Sequence, residues 1–93
     1  MIKITLKAFA HLRDFLDKEA ELNLSSDENM QTLLDSLCKK HTGLHGRIFE
    51  HDGELKHMVI ILKNGRNILH PEGLSTKIDD GDTICLFPPV AGG

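Results

Sequence analysis

The sequence predicts a two-layer α+β domain, in which one amphipathic helix packs against a mixed sheet of four to five strands. Two patterns predict it. Two stretches in the first 24 residues alternate hydrophobic with polar side chains, as half-buried strands do, and residues 30–38 repeat hydrophobic side chains at helical spacing. The chain has 93 residues, of which 40% are hydrophobic and 27% are charged. A chain of this length and composition folds around one modest core, so one domain is expected.

The first 24 residues predict two paired strands with a short helical turn between them. Hydrophobic residues alternate with lysine and threonine in residues 2–7, and hydrophobic residues alternate again in residues 20–24. Because successive side chains of a strand point to opposite faces, each stretch has one buried face. Between them, Phe9, Leu12 and Leu16 have the spacing of a short helix. We therefore expect the second strand to pair with the first.

The main helix is predicted to begin near residue 30. Its hydrophobic residues fall on one face, at Met30, Leu33, Leu34, Leu37 and Cys38. Two starts are possible: Ser25 and Glu28 have the spacing of a capping box, and Asn29 is the alternative N-cap. Gly43 is the expected stop, because glycine readily adopts the left-handed conformation that ends many helices.

The middle of the chain predicts an irregular segment followed by a buried strand. Leu44, Ile48 and Phe49 are expected to pack under the core, and residues 51–54 to form an exposed turn. An unbroken hydrophobic run within residues 57–63 is rich in β-branched side chains. Such a run predicts a strand that is buried on both faces.

The last third predicts two further strands joined by turns. Asn64 and Gly65 both tolerate positive φ, so they predict a tight turn into a short strand at residues 66–69. A loop is expected at residues 70–73 and a solvated turn at residues 79–82. Thr83–Phe87 is the last predicted strand, and the two prolines that follow end it because proline cannot donate to a ladder.

Composition argues against nucleic-acid binding and against a membrane span. The chain has no Trp or Tyr and a net charge of −3, whereas surfaces that bind nucleic acid are basic and often aromatic. Its longest apolar run, residues 58–62, is far shorter than the ~20 residues that cross a bilayer. The N-terminus is unlike a signal peptide, so we expect a cytoplasmic protein with no nucleic-acid or membrane partner.

The sequence contains no recognisable active site of its own. Cys38 and Cys85 lie far apart within apolar patterns, which favours two buried free thiols over a disulfide or a redox pair. His41 and His45 have i, i+4 spacing, but Gly43 between them is expected to end the helix. We expect no metal, no bound cofactor and no intrinsic catalytic residue.

The C-terminal residues carry the pattern that indicates a function. The sequence ends Phe87-Pro88-Pro89-Val90-Ala91-Gly92-Gly93, directly after the last predicted strand. The prolines hold the chain extended, and the glycines lack the Cβ atoms that would limit entry into a narrow channel. A terminal carboxylate is ionised at neutral pH and can attack a nucleotide's phosphorus. A frayed tail is the alternative, and it accounts for the glycines better than for the prolines.

The whole chain resembles the ubiquitin-like β-grasp sulfur carriers, a family that includes MoaD (the small subunit of molybdopterin synthase), ThiS and the archaeal SAMP modifiers. Residues 87–93 are close to the MoaD ending F-P-P-V-x-G-G, and residues 80–84 resemble its D-G-D-x-V turn and strand. Residues 9–13 are similar to the motif F-A-x-[VL]-R. The resemblance implies a β-grasp domain over residues 1–87 and an extended tail over residues 88–93.

The resemblance also implies a partner and a modified residue. In this family an E1-like adenylating enzyme of the MoeB/ThiF kind uses ATP to adenylate the terminal glycine, which here is Gly93. A sulfur donor then converts the adenylate to a thiocarboxylate. The resemblance places Phe9 and Phe87 on the docking face for partners, with core packing as the alternative. The residues expected in the partner's channel are Pro88, Pro89, Val90, Ala91 and Gly92.

Two functions follow from the resemblance. In the first, the chain inserts its tail into the large, MoaE-like subunit of molybdopterin synthase and donates sulfur in molybdenum cofactor biosynthesis. In the second, it is a modifier that is joined through Gly93 to lysines of target proteins. The terminal pattern favours the first function. A binding module with an incidental tail is a third possibility.

Overall fold

The sheet is built around two parallel strands at its centre. The computed structural model describes residues 1–69 and 72–89. Its strands are β1 (Ile2–Ala8), β2 (Glu19–Leu24), β3 (Ile60–Lys63), β4 (Arg66–Asn67) and β5 (Thr83–Phe87). They lie in the sheet in the order β2-β1-β5-β3-β4. β1 pairs in parallel with β5, and all other neighbouring strands are antiparallel. This mixed sheet confirms the prediction.

Helix α1 (Met30–Lys40) supplies the second layer, as predicted. Leu33, Leu34 and Leu37 are buried in the same core as Ile4 and Leu6 of β1 and as the buried residues of β5. Each such leucine contributes about 1.5–3 kcal/mol when it leaves water. A short helix, α2 (His45–Ile48), and two 3₁₀ turns (Ala10–Asp14 and Gly73–Ser75) complete the described elements. None of these helices is long and apolar enough to cross a membrane.

Asn29, rather than Ser25, begins α1. The Asn29 side chain accepts a hydrogen bond from the Thr32 amide at 2.9 Å, and the Thr32 hydroxyl accepts one from the Asn29 amide at 2.9 Å. Ser25 and Glu28 form a turn instead, in which the Glu28 amide donates to the Ser25 carbonyl at 3.3 Å. The helix ends at Lys40, shortly before Gly43, which has a φ of +94°.

The segment after α1 folds as predicted. Leu44, Ile48 and Phe49 are all buried in the core. The predicted turn at residues 51–54 is exposed, and it is closed by an isolated bridge between Phe49 and Leu55. These side chains therefore extend the core beyond the end of the helix.

The prediction that residues 57–63 form a strand buried on both faces is wrong. The strand is limited to Ile60–Lys63, and only one face of this stretch, with Val59 and Ile61, is buried. Ile60 is 40% exposed and Leu62 is half-buried, because both point to the face of the sheet opposite the core. We call this opposite face the open face, since every strand residue on it is exposed or half-buried.

The tight turn at Asn64 and Gly65 is confirmed, with φ values of 51° and 84°. The strand that follows covers only Arg66–Asn67, shorter than the predicted residues 66–69. His70 and Pro71 of the predicted loop lie outside the described residues.

The two cysteines are free, as predicted, but neither is fully buried. Cys38 lies at the border of the buried face of α1, and Cys85 points to the open face of β5. Burial raises the pKa of the Cys38 thiol, and the neighbouring Asp35 carboxylate raises it further. A raised pKa keeps the Cys38 thiol protonated and unreactive.

Candidate functional site

The candidate site lies where β5 delivers the chain to its C-terminal residues. β5 ends at Phe87, where the sequence predicted it to end. Pro88 is buried and Pro89 is half-buried, so the chain is still in contact with the domain immediately after the strand. Residues 90–93, which include Gly93, lie outside the described residues. The tail and its role in a partner's channel therefore stay predictions.

The turn at residues 79–82 anchors β5 to the first strand. The Asp80 carboxylate accepts a hydrogen bond from the Lys3 amide at 2.8 Å, and the Gly81 amide donates to the Lys3 carbonyl at 2.8 Å. Gly81 has a φ of +86°, which glycine adopts without strain. These bonds set the start of β1 against the start of β5. The D-G-D motif thus fixes the parallel register that decides where β5 ends.

Asp82 departs from the expectation of a solvated turn, because it is only 5% exposed. Its carboxylate accepts hydrogen bonds from the Asn64 side-chain amide and from the Asp79 backbone amide, both at 2.8 Å. The Lys63 ammonium lies 3.4 Å from the same carboxylate and 3.0 Å from that of Asp79. The Asp79 hydrogen bond is the main cause that raises the pKa of Lys63. This network joins the β3–β4 turn to the beginning of β5.

Phe9 and Phe87 lie together on the open face. Their rings stack at a centroid distance of 4.2 Å with an interplanar angle of 12°. Both are half-buried, so they are neither core residues nor fully exposed side chains. The contact follows from the parallel register, since the Phe9 amide donates to the Leu86 carbonyl at 3.2 Å just past the end of β1. The structure therefore brings together the two residues that were singled out as a docking face, and their role in docking stays a prediction.

Arg13 packs against this aromatic pair. Its Nε donates to the Ala8 carbonyl at 2.9 Å, and its guanidinium carbon lies 5.5 Å from the centroid of the Phe9 ring. A guanidinium over an aromatic face is attractive and orders both groups. No role was predicted for Arg13, although it is the last residue of the motif at residues 9–13. That motif is the signal that could have identified it.

Three more side chains extend the pair into an apolar surface. Ile60 lies opposite Phe87 in the β3–β5 register, and Leu62 lies opposite Cys85. We call this surface, formed by Phe9, Ile60, Leu62, Cys85 and Phe87, the open-face patch. Sequence reasoning missed Ile60 and Leu62, because it assigned their strand to the interior. Contiguous exposed apolar surface on a small protein is typical of a contact with another protein.

The histidines form no centre in the described part of the chain. Within residues 1–69 and 72–89, no group of three or more His, Cys, Asp or Glu side chains could hold a metal ion. His41 and His45 fall on either side of the break between α1 and α2. His11 has a different partner, since its Nδ1 lies 2.8 Å from Nη1 of Arg47. Arginine only donates, so the His11 Nδ1 is the acceptor in this contact.

Known proteins resemble the chain along its whole length. The model of the ThiS family matches residues 6–93. Small archaeal modifier protein 3 of Haloferax volcanii is 41% identical over 93 residues, which cover 99% of this chain and 100% of that protein. The sulfur carrier protein CysO of Mycobacterium tuberculosis is 30% identical over 71 residues, which cover 74% of this chain and 76% of that protein.

Solved structures agree with the sequence matches. A Pyrococcus furiosus protein provisionally assigned as molybdopterin converting factor, subunit 1, superposes with a TM-score of 0.74 at 26% identity, covering 97% of this chain and 100% of that one. Urm1 of Trypanosoma brucei superposes with a TM-score of 0.80 at 18% identity, covering 98% of this chain and 95% of that one. The second likeness concerns the fold alone. The chain therefore has the ubiquitin-like β-grasp fold and belongs to the ThiS family, among relatives that are sulfur carriers and small archaeal modifiers.

Proposed function

We propose that this chain is a ubiquitin-like protein modifier that is joined through Gly93 to lysines of target proteins. The observation that carries the proposal is the 41% identity, from end to end, with small archaeal modifier protein 3. The terminal sequence pattern by itself favours sulfur donation to molybdopterin. The relatives support the modifier better, so we reverse that preference.

Activation requires a partner, because the described residues contain no nucleotide-binding motif. An oxygen of the Gly93 carboxylate attacks the α-phosphorus of ATP on an E1-like enzyme, and pyrophosphate leaves with the electrons of the broken P–O bond. The ε-amine of a target lysine then attacks the acyl carbon. AMP leaves, the nitrogen loses a proton, and an isopeptide bond remains.

The open-face patch supports this proposal as the surface that docks the E1-like enzyme. Its two aromatic rings lie at the end of β5, so a protein that covers them also lies beside the start of the tail. Arg13 adds a positive charge at the rim of the patch. Aromatic and arginine side chains are the residue types that most often dominate binding energy at protein interfaces.

The second candidate function is sulfur transfer. It is favoured by the likeness to a named sulfur carrier and to the Pyrococcus protein assigned to molybdopterin synthesis. The activation step is the same. Hydrosulfide from a sulfur donor then takes the place of the lysine amine, AMP leaves, and Gly93 becomes a thiocarboxylate that can be delivered to a large, MoaE-like synthase subunit.

Mass spectrometry of the protein from its own cells tests both functions. Trypsin cuts after Lys77, and no lysine or arginine follows it, so a conjugate leaves residues 78–93 attached to a target lysine. Such branched peptides establish the modifier. An intact species with one oxygen of Gly93 replaced by sulfur establishes the carrier, and both species together indicate one activation step with two destinations.

Two variants control the experiment. Deletion of Gly93, or one Ala added after it, moves the reactive carboxylate and is expected to abolish both products. One Ala added before Met1, which is 95% exposed, is the matched control and should change neither. A free carboxylate as the sole species, even with the E1-like enzyme and ATP supplied, contradicts the proposal.

A further inference from the structure

Among residues 1–69 and 72–89, no strand pairs with the outer edge of β2, which leaves backbone groups there without a partner strand. β2 is the terminal strand of the sheet. The Ala8 amide donates to the Lys18 carbonyl at 3.1 Å, and the β1–β2 register pairs Ile4 with Leu22. In an antiparallel ladder, hydrogen-bonded pairs alternate with pairs that are not bonded to each other. Because Ala8 is bonded to Lys18, the same alternation makes Ile4 and Leu22 a bonded pair. The N–H and C=O groups of Glu21 and Asn23 therefore point away from β1, to the outer edge of the sheet. An edge of this kind is a template for another strand.

A shallow groove lies beside this edge on the side of the sheet that α1 covers. It has a volume of about 160 Å³ and lies between β2 and the C-terminal half of α1. Its apolar lining includes Phe15, Ala20, Leu22 and Leu37. A groove of this volume exceeds what a single water needs, so it has room for several waters or for a branched aliphatic side chain. A strand added to β2 would point alternate side chains into it.

The charges on the other face of β2 indicate what kind of strand fits. Glu19 and Glu21 are exposed on the open face, and Glu19 has only a long 3.9 Å contact with Lys7. A second copy paired edge to edge would bring like charges together, which destabilises cross-strand pairs. A strand with basic side chains on that face gains from the same charges. Asp17, Lys40 and His41 lie at the groove itself and have mixed charge.

We propose that the β2 edge binds an extended segment of a partner protein, in which branched aliphatic residues alternate with lysine or arginine. The aliphatic side chains enter the groove, the basic ones face Glu19 and Glu21, and the backbone pairs with Glu21 and Asn23. Strand addition of this kind takes its affinity from main-chain bonds and its specificity from alternate side chains. The proposal goes beyond the modifier function and does not depend on Gly93.

Titration with a synthetic peptide, followed by two-dimensional NMR, tests the proposal. The probe is acetyl-Thr-Val-Lys-Val-Lys-Thr-amide, and its charge-reversed control has Glu at both Lys positions. Hydrogen exchange at the Glu21 and Asn23 amides should slow at least fivefold with the probe. The Ala20 and Leu22 amides, which already pair with β1, should change little. The control peptide should bind at least tenfold more weakly.

Variants of Glu21 separate the backbone from the side chain. Glu21→Pro removes the outward N–H without removing a bond to β1, and proline is tolerated at such edge positions. It should weaken binding at least tenfold, whereas Glu21→Ala, which keeps the N–H, should weaken it less. Glu21→Lys, which needs no change of backbone, should reverse the preference between the two peptides. Shifts confined to the open-face patch, equal binding of both peptides, or self-association through β2 would each overturn the proposal.

Discussion

The stacked rings of Phe9 and Phe87 predict a measurable coupling energy, which a double-mutant cycle can isolate. Replacing a fully buried phenylalanine by alanine costs about 3–5 kcal/mol. Both rings are half-buried, so we expect about 1.5–2.5 kcal/mol for each of Phe9→Ala and Phe87→Ala. Because the rings touch at a centroid distance of 4.2 Å, part of each loss is the same interaction. The double variant should therefore cost less than the sum, by about 0.5–1.5 kcal/mol.

Urea unfolding of the four proteins, followed by far-UV circular dichroism, measures this coupling. Leu86→Ala is the matched control, since Leu86 precedes Phe87 on the same strand but is only 1% exposed on the opposite face. Its expected cost is about 2–5 kcal/mol. A coupling energy of zero would refute the stack. A cost of about 3–5 kcal/mol for Phe87→Ala, as for a fully buried ring, would make Phe87 a core residue.

The same variants connect stability to the proposed docking. Pyrophosphate exchange with the cognate E1-like enzyme reports adenylation of the chain, at a temperature where every variant is folded. If the open-face patch docks that enzyme, Phe87→Ala should lower kcat/KM at least tenfold, which corresponds to about 1.4 kcal/mol. Leu86→Ala should leave the rate within a factor of about two, because it does not reach the open face. Equal values of kcat/KM for the two variants would show that the open-face patch does not take part in activation.

Three further outcomes follow from local contacts. Asp82→Ala leaves the Asn64 side chain and the Asp79 amide without their acceptor, so the free energy of unfolding measured in urea should fall by about 2–4 kcal/mol. An unchanged free energy of unfolding would contradict the network. The pKa of Lys63 is raised above 10.5, so its stabilising contribution is complete below pH 10.5 and is lost as the pH rises through the raised value. The difference in unfolding free energy between the wild type and Lys63→Met should shrink at that pH, and a difference independent of pH would show that the ion pair contributes nothing. Asn29→Ala removes the helix cap and should cost about 0.5–2 kcal/mol in thermal unfolding, whereas an unchanged Tm would show that another group satisfies the amide.

Periodicity predicted the elements that have one buried face. In β1, residues at even positions enter the core, and in α1 the leucines at helical spacing do so. The bounds of β5 could also be predicted, because a turn precedes the strand and prolines follow it. Each of these patterns lies within one segment of the sequence, so the backbone geometry of a single strand, helix or turn is enough to predict it.

The faces of β3 could not be predicted in the same way. An unbroken apolar run is the same whether a second layer of the protein covers the strand or another protein does. Ile60 and Leu62 point away from the core, so the run that indicated an interior strand instead marks the open-face patch. The sequence contains the chemistry of this surface, but only the sheet order reveals which side is uncovered.

The candidate site depends on contacts between distant residues, and this is why much of it was missed. Asp82 looks like a turn residue, yet it is buried because Asn64 and Lys63 reach it from another turn. Phe9 and Phe87 meet only because β1 and β5 run in parallel, in a register that the D-G-D turn sets through its bonds to the distant Lys3. The resemblance at both ends of the chain supplied this pairing, which periodicity could not.

The sheet order separates the surfaces that the two proposals use. The open-face patch is formed by residues of β3, β5 and the end of β1, whereas the free edge belongs to β2, which β1 separates from β5. The groove beside β2 opens on the side of the sheet that α1 covers, and the patch lies on the other side. A segment added to β2 therefore leaves the patch and the end of β5 accessible. When one partner protein makes both contacts, the contact that forms first raises the effective concentration of the other binding segment. Weak pairing of a partner strand with β2 can therefore strengthen docking at the patch without a contact to Gly93.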